Sequence, residues 1–355
     1  MTTTTTRPAG PVAAPAARRG LLPSVTGRAA GLLGLVAGLA VLCLLSLAVG
    51  SKPIPLDTVL QSLTTYDPAQ EDHVIVQSLR VPRTVVALLV GVGLGLAGTV
   101  MQGLTRNPLA DPGILGVSAG AALAVVVGIF AFGVGSVTGH VWFAFAGAAV
   151  TSVVVYGLGA MGRDGATPVK LALAGAAVTA FLVSVTTTFL LLDSATLDQY
   201  RFWAVGSVAG RGLDVAAQVA PFLAVGAVVA LLSGRALNAL ALGDDVARSL
   251  GARVGLTRVT AAVAVVLLVG AATAAAGPIA FVGLTVPHVA RALTGPDYRW
   301  VLAYSAGLAP ALLLAADVLG RVVARPGELQ VGIVTAVVGA PVFIALVRRR
   351  TLAQV

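Results

Sequence analysis

The sequence predicts an all-α membrane protein, a bundle of ten transmembrane helices. Three observations carry that fold class. Of the 355 residues, 57% are hydrophobic and only 10% charged, against roughly 25% charged in a soluble globular chain. The mean hydropathy is +0.97. Apolar runs of the length needed to cross a bilayer, about 20 residues, recur from one end of the chain to the other.

Residues 1 to 30, "MTTTTTRPAGPVAAPAARRGLLPSVTGRAA", are rich in Thr, Ala, Pro and Arg and have no apolar periodicity, which predicts a disordered tail. Arg18 and Arg19 ahead of an apolar run resemble an export signal. The run that follows, "GLLGLVAGLAVLCLLSLAVG" at 31 to 50, is long enough to span, with the basic residues holding its start inside. Further spans are expected at 84 to 104, 113 to 132, 141 to 161, 169 to 192, 215 to 233, 259 to 277, 300 to 320 and 331 to 347. A shorter run at 279 to 293, bounded by Pro278 and broken by Pro287, makes ten. Both ends of the chain are basic, so an even number of crossings is required. The spanning domain is thus 31 to 350, and 351 to 355 form a second cytoplasmic tail.

Charge placement fits this topology. With the N-terminus inside, sixteen of the 23 Lys and Arg residues lie on inner segments and seven on outer ones, the expected positive-inside bias. The net charge of +9 follows from topology in a lipid membrane and calls for no nucleic acid. An internal echo links "LLVGVGLGLAGTVMQGLT" (88 to 105) with "LLVGAATAAAGPIAFVGLT" (267 to 285). An inverted repeat and chance similarity between low-complexity apolar segments both account for it. The 42 glycines predict closely approaching helices, because small residues let transmembrane backbones meet.

Enzymatic chemistry finds little footing. Cys43 is the single cysteine, so the chain can form neither an internal disulfide nor a thiolate metal cluster. His73, His140 and His288 match no zinc-ligand spacing, and no cofactor is expected. Asp317 is the clearest ionisable group within a span, and Arg321 at i+4 explains it as a helix-surface pair. An ion-coupled secondary transporter remains the rival class, but it calls for coupling-ion ligands at the membrane midplane. The only lysines, Lys52 after Ser51 and Lys170 after Val169, complete no phosphate-binding GxxxxGK[ST] motif. Energy from ATP would have to come from another protein.

The segment "LGDDVARSLGA" at 242 to 252 stands out between nearly uncharged stretches. Asp244 and Asp245 are placed to cap a helix start. Val246, Ala247 and Leu250 share one face, and Gly251 is a C-terminal stop. A helix of about seven residues is roughly 10 Å long and cannot span. It lies on the cytoplasmic surface, and the local pattern fits a handle for a soluble motor and a plain capped loop equally.

Longer motifs decide between them. "RVPRTVVALLVGVGLGLAGTVMQGLTRNPLADPGILGVSAG" (80 to 120), "LALGDDVARSLGA" (240 to 252), "GPIAFVGLTVPHVARALTG" (277 to 295) and "ELQVGIVTAVVGAPVFIALVRRR" (328 to 350) occur in that order. The chain closely resembles the FecCD-type permease subunits of ABC importers for ferric siderophores, haem and cobalamin, over about residues 30 to 350. The resemblance implies a cobalamin-importer-permease-like bundle, one half of a dimer with an identical or paralogous permease. Two ATPase subunits would sit below, and an extracytoplasmic substrate-binding protein above. Siderophore leads haem and cobalamin as expected cargo, and no covalent chemistry is expected of this chain.

The resemblance also assigns residues. Gly243, Asp244, Asp245, Val246, Ala247, Arg248, Leu250 and Gly251 match the coupling helix that enters the ATPase. Arg80, Arg83 and Arg321 match arginines that meet glutamates of the binding protein; guanidinium groups suit carboxylate recognition, although anchoring at the membrane edge would also use them. Asn107 and Leu109 match positions that narrow the cytoplasmic mouth, and Thr167 and Pro168 match a second constriction whose hydroxyl pattern is only partly kept. Asp111 before Pro112 fits a helix cap, and His288 a packing contact.

Overall fold

The computed structural model describes residues 20–161 and 167–348, and among these it is helical with no β-strand. In chain order the helices are α1 (Val25–Ala48), α2 (Leu56–Thr64), α3 (Glu71–Ile75), α4 (Val81–Thr105), α5 (Val117–Phe132), α6 (Val137–Ala160), α7 (Pro168–Leu192) and α8 (Ser194–Ala204). They continue as α9 (Leu213–Leu232), α10 (Gly234–Ala241), α11 (Asp244–Ser249), α12 (Val254–Ala276), α13 (Val282–Thr294), α14 (Tyr298–Val323) and α15 (Val331–Arg348). A single π turn, Val76–Arg80, fuses α3 to α4.

A helix occupies each of the ten predicted spans, but they are not equal in length. Seven are long and apolar enough to cross a bilayer, with 71–105 counted as one, and α5 and Val331–Ala345 are shorter apolar helices. Helix α13 has 13 residues, about 20 Å, short of the roughly 30 Å hydrocarbon core. Length and composition therefore support seven crossings outright, and the remaining three complete the bundle as shorter elements.

The expected tail boundary at residue 30 moves. Ser24 caps α1 by accepting from the Gly27 amide at 3.0 Å, so the helix begins at Val25. Residues 21 and 22 are tied down by amide bonds from Leu21 to the Ala292 carbonyl (3.0 Å) and from Leu22 to the Leu293 carbonyl (2.8 Å). Ordering of 20–30 thus comes from a cap and from α13, neither of which composition reveals. Arg7, Arg18, Arg19, Arg163, Arg349 and Arg350 and the 351–355 tail lie outside the described residues.

Helix α4 is the centre of the bundle. It packs against α9, α12, α13 and α14, and its residues from Val86 to Leu104 are almost all buried. Glycine permits this. A Cβ at Gly98 would collide with the carbonyl of Gly283 in α13, and Gly120 of α5 and Gly147 of α6 meet in the same backbone-to-backbone way. Both contacts exclude any side chain at the crossing.

The two echoed segments differ in secondary structure. Residues 88 to 105 lie in one uninterrupted helix, whereas 267 to 285 cross the break between α12 and α13. Gly277 (φ +74) and Phe281 (φ +68) turn the chain there, on either side of Pro278.

Gly98→Ala should lower stability in detergent by about 1–3 kcal/mol, the usual cost of forcing a methyl into a filled contact. Gly34→Ala, at a position with nothing within 4 Å, serves as control and should leave the melting temperature unchanged.

Candidate functional site

Helix α4 carries an arginine near each end, and both candidate sites form around these residues. Arg83 begins one cluster and Arg106 the other, separated by nearly the full length of α4, about 35 Å.

At the Arg83 end the sequence suggested a surface pair, Asp317 with Arg321. The pair exists, at 3.0 Å, but Asp317 is 1% exposed and Arg321 2% exposed. The stronger partner comes from α4: Arg83 grips Asp317 through Nε (3.1 and 3.0 Å) and Nη2 (2.8 Å). A planar guanidinium matches the two carboxylate oxygens in this way. Arg83 also donates from Nη1 to Glu328 at 2.7 Å. Arg321 donates to the Ser46 carbonyl and hydroxyl of α1, both at 2.9 Å, and the Ser46 hydroxyl pairs with that of Thr84. Arg80 is buried too, with Nη1 on the Leu47 carbonyl at 2.6 Å and Nη2 on the Lys52 carbonyl. The three arginines proposed for docking thus knit α1, α4 and α14 together.

A cavity of about 500 Å³ opens beside this network, lined by Lys52, Arg80, Arg83, Arg211, Arg321 and Glu328 among others. Five cations line it against one carboxylate, which gives it a positive bias. Lys52, Arg211 and Glu328 were not singled out in the sequence, because loop residues without a spacing pattern give no signal until the chain folds. A hydrogen bond to Asp72 holds the Lys52 ammonium above its ordinary pKa.

At the other end lies α11. Gly243 (φ +99) turns the chain into it, and Gly251 (φ +83) closes it, both conformations that favour glycine. The aspartates do not cap the helix as expected. Asp244 instead binds Arg106, at the end of α4, through Oδ1, and Arg258, the fifth residue of α12, through Oδ2 at 2.7 Å. Asp245 is 98% exposed and pairs only with Arg248, at 2.9 Å. Nor do Val246, Ala247 and Leu250 share a face: Ala247 is fully buried, while Val246 and Leu250 are 45% and 66% exposed. Two distant arginines outcompete the free amides for Asp244, and α11 settles with its smallest apolar residue inward.

The loop after α4 sits beside α11. Arg106 adopts φ +51, the Asn107 side chain accepts from the Leu109 amide at 2.9 Å, and the Ala110 amide returns to the Asn107 carbonyl. Asp111 caps a 3-10 turn over Pro112–Leu115 by accepting from Gly113 at 2.8 Å. Burial raises the pKa of that carboxyl, against the pull of the Gly113 amide. His288 contacts the Pro108 carbonyl through Nε2 at 2.9 Å, so it braces this loop as a packing contact. Thr167 uses its hydroxyl to cap α7, accepting from the Lys170 amide at 3.4 Å, and Pro168 opens that helix. Among the described residues no group of His, Cys, Asp and Glu is placed to hold a metal ion.

The chain is thus a glycine-packed bundle of apolar helices, the architecture of a polytopic membrane protein, with a cation-lined cavity at one end and a braced loop and exposed short helix at the other. The model of the FecCD transport family matches residues 38–349, and the chain belongs to that family. It is therefore a transport permease and not an enzyme. It is 48% identical over 326 residues to the ferric enterobactin transport system permease protein FepD of Escherichia coli (strain K12), covering 91% of this chain and 96% of that one. It is 45% identical to the probable siderophore transport system permease protein YfiZ of Bacillus subtilis (strain 168), covering 82% and 87% of the two chains. A solved chain assigned to a metal-chelate type ABC transporter in an inward-facing conformation matches with a TM-score of 0.79 at 27% identity, over 91% of this chain and 99% of that one.

Asp317→Asn should destabilise the protein by about 3 kcal/mol, because it leaves two buried guanidinium groups short of a counter-charge. Thermal unfolding in detergent checks this, with Asp245→Asn, at an exposed pair, expected to be neutral.

Proposed function

We propose that the chain is the permease subunit of an ATP-binding-cassette importer that carries an iron–siderophore complex into the cell. Two permease subunits form the path, two separate ATPase subunits bind the α11 end, and a substrate-binding protein docks on the Arg83 end. The α11 end faces the cytoplasm, as do both termini, consistent with the positive-inside bias. A polar, bulky chelate cannot partition through lipid, so a protein path is required.

The observation that carries the proposal is α11 itself. Six residues long, it offers Asp245, Val246 and Leu250 outward while Asp244 and Ala247 hold it to the bundle. An exposed apolar pair on so short an element, braced from behind, suits insertion into a soluble partner. In the proposed assignment Gly243 and Gly251 set its ends and Arg248 supports Asp245. Asn107, Leu109, Thr167 and Pro168 form the cytoplasmic constriction.

At the outer end, Arg80, Arg83 and Arg321 serve docking by shaping the cation-lined cavity, where Arg83 is bonded to Glu328. Their bonds to the main chain and to Asp317 hold the guanidinium groups in place before a partner carboxylate arrives. An ion-coupled carrier would need a buried carboxylate free to take up its ion. Asp317 is already shared by Arg83 and Arg321, and Asp111 is used to cap the Pro112–Leu115 turn, which favours the ABC mechanism. The siderophore cargo rests on the similarity to the enterobactin and siderophore permeases.

Cells lacking their own permease, supplied with this chain and its neighbouring ATPase and binding protein, should accumulate iron-55 from ferric enterobactin or another ferric siderophore but not haem or cobalamin. Uptake of haem or cobalamin alone would replace the cargo assignment. In the same cells Val246→Arg should reduce uptake about tenfold, since a charge forced into a desolvated contact costs well over 1 kcal/mol. Unchanged uptake would reject the role of α11.

For the outer face, Arg211→Glu should weaken capture of the binding protein about fivefold at low salt, the scale of one exposed charge pair. Titration of the labelled binding protein onto permease in nanodiscs measures it, and no change at any ionic strength would move docking elsewhere.

A further inference from the structure

We propose that Asp244 is the joint through which motion of α11 reaches the cytoplasmic mouth, with Arg106 as the receiving side chain; this rests on α11 being the ATPase contact.

The geometry has three parts. First, Asp244 commits its two carboxylate oxygens to different helices: Oδ1 to Arg106 of the α4 terminus and Oδ2 to Arg258 of α12. It therefore ties α11 to the central helix and to one of that helix's main neighbours. Second, Arg106 is the residue at which α4 turns, in a left-handed conformation, into Asn107 and Leu109. A pull on its guanidinium acts at the base of the loop. Third, the loop is internally braced by the Asn107 side chain on the Leu109 amide, by the Ala110 amide on the Asn107 carbonyl and by His288 on the Pro108 carbonyl. A braced loop moves as a unit when its base is displaced, whereas a slack one would absorb the motion.

Charge makes the joint hard to slip. Asp244 serves two guanidinium groups of the bundle, all three half-buried or nearly buried, while Arg248 of α11 itself lies at 4.0 Å; separating α11 from the bundle would therefore leave Arg106 and Arg258 facing each other. Displacing α11 is less costly if Arg106 and Arg258 follow it. The exposed Asp245–Arg248 pair lies within α11 and transmits nothing. Arg106 is thus a positioning residue for the gate, outside the surface offered to the ATPase.

The test needs no cargo. In a Cys43→Ser background, Leu109→Cys reports the mouth through its rate of labelling by a membrane-impermeant maleimide in inside-out vesicles holding permease and ATPase. With Arg106 present, Mg-ATP plus vanadate should change that rate. Arg106→Gln should abolish the nucleotide-dependent change while the ATPase still co-purifies and hydrolyses ATP, and Arg106→Lys, which keeps the charge, should restore most of it. Asp244→Asn should abolish the change as well, and combining it with Arg106→Gln should add nothing, as two halves of one link require. A full nucleotide response in Arg106→Gln or in Asp244→Asn overturns the joint while leaving the ATPase-coupled reading intact. Failure of the unsubstituted permease to bind the ATPase overturns both.

Discussion

Everything else in this fold depends on how α4 is held. A helix buried along most of its length by four others gains little from the hydrophobic effect inside a bilayer, where lipid is as apolar as a leucine side chain. Its position is set instead by backbone contact at glycine and by ionic clamps at its ends. At one end Arg83 shares Asp317 with Arg321; at the other Arg106 shares Asp244 with Arg258. At the core of each clamp one carboxylate sits between two guanidinium groups, with Glu328 added at the Arg83 end and Arg248 at 4.0 Å from Asp244 at the other, and each joins α4 to a different set of neighbours.

The two clamps differ in burial, and that difference separates their work. The Arg83 clamp is almost sealed and reinforced by Ser46 of α1 and by Glu328, so it fixes α1, α4 and α14 as one body. The Arg106 clamp is partly open to solvent and joins α4 to a six-residue helix and the start of α12. Water can compensate an open clamp during movement more readily than a sealed one. The rigid end holds a cavity in shape, and the softer end sits beside the exposed helix.

The sequence disclosed what depends on local pattern. Hydropathy located the helices, Pro278 marked the break before the short α13, which runs unbroken through the expected break at Pro287, and Gly251 marked the close of α11. Motif order identified the family. What it could not disclose is pairing across long separations. Asp317 read as the partner of Arg321 because i+4 is visible in a string, while Arg83 lies 234 residues away. Asp244 read as a cap for the same reason: the free amides of α11 are adjacent in sequence, and Arg106 is 138 residues distant. The inward turn of Ala247 escaped because six residues are too few to define an apolar face. The start of α1 was missed because its anchor, the 292–293 backbone, belongs to another helix.

Sharing one carboxylate between two arginines also solves a problem peculiar to moving membrane proteins. An isolated buried ion pair that separates leaves both charges uncompensated, at a cost of about 3–5 kcal/mol. With two guanidinium groups on one aspartate, displacing the shared carboxylate draws both cations with it, and each guanidinium has donors left for nearby carbonyl oxygens. Arg321 does this already, dividing its donors between Asp317 and Ser46. The arrangement needs arginine: five donors on a planar group can serve two acceptors at once, whereas an ammonium offers a single point of charge. This accounts for a chain with only two lysines among its 23 basic residues placing arginine, and not lysine, at both ends of its central helix.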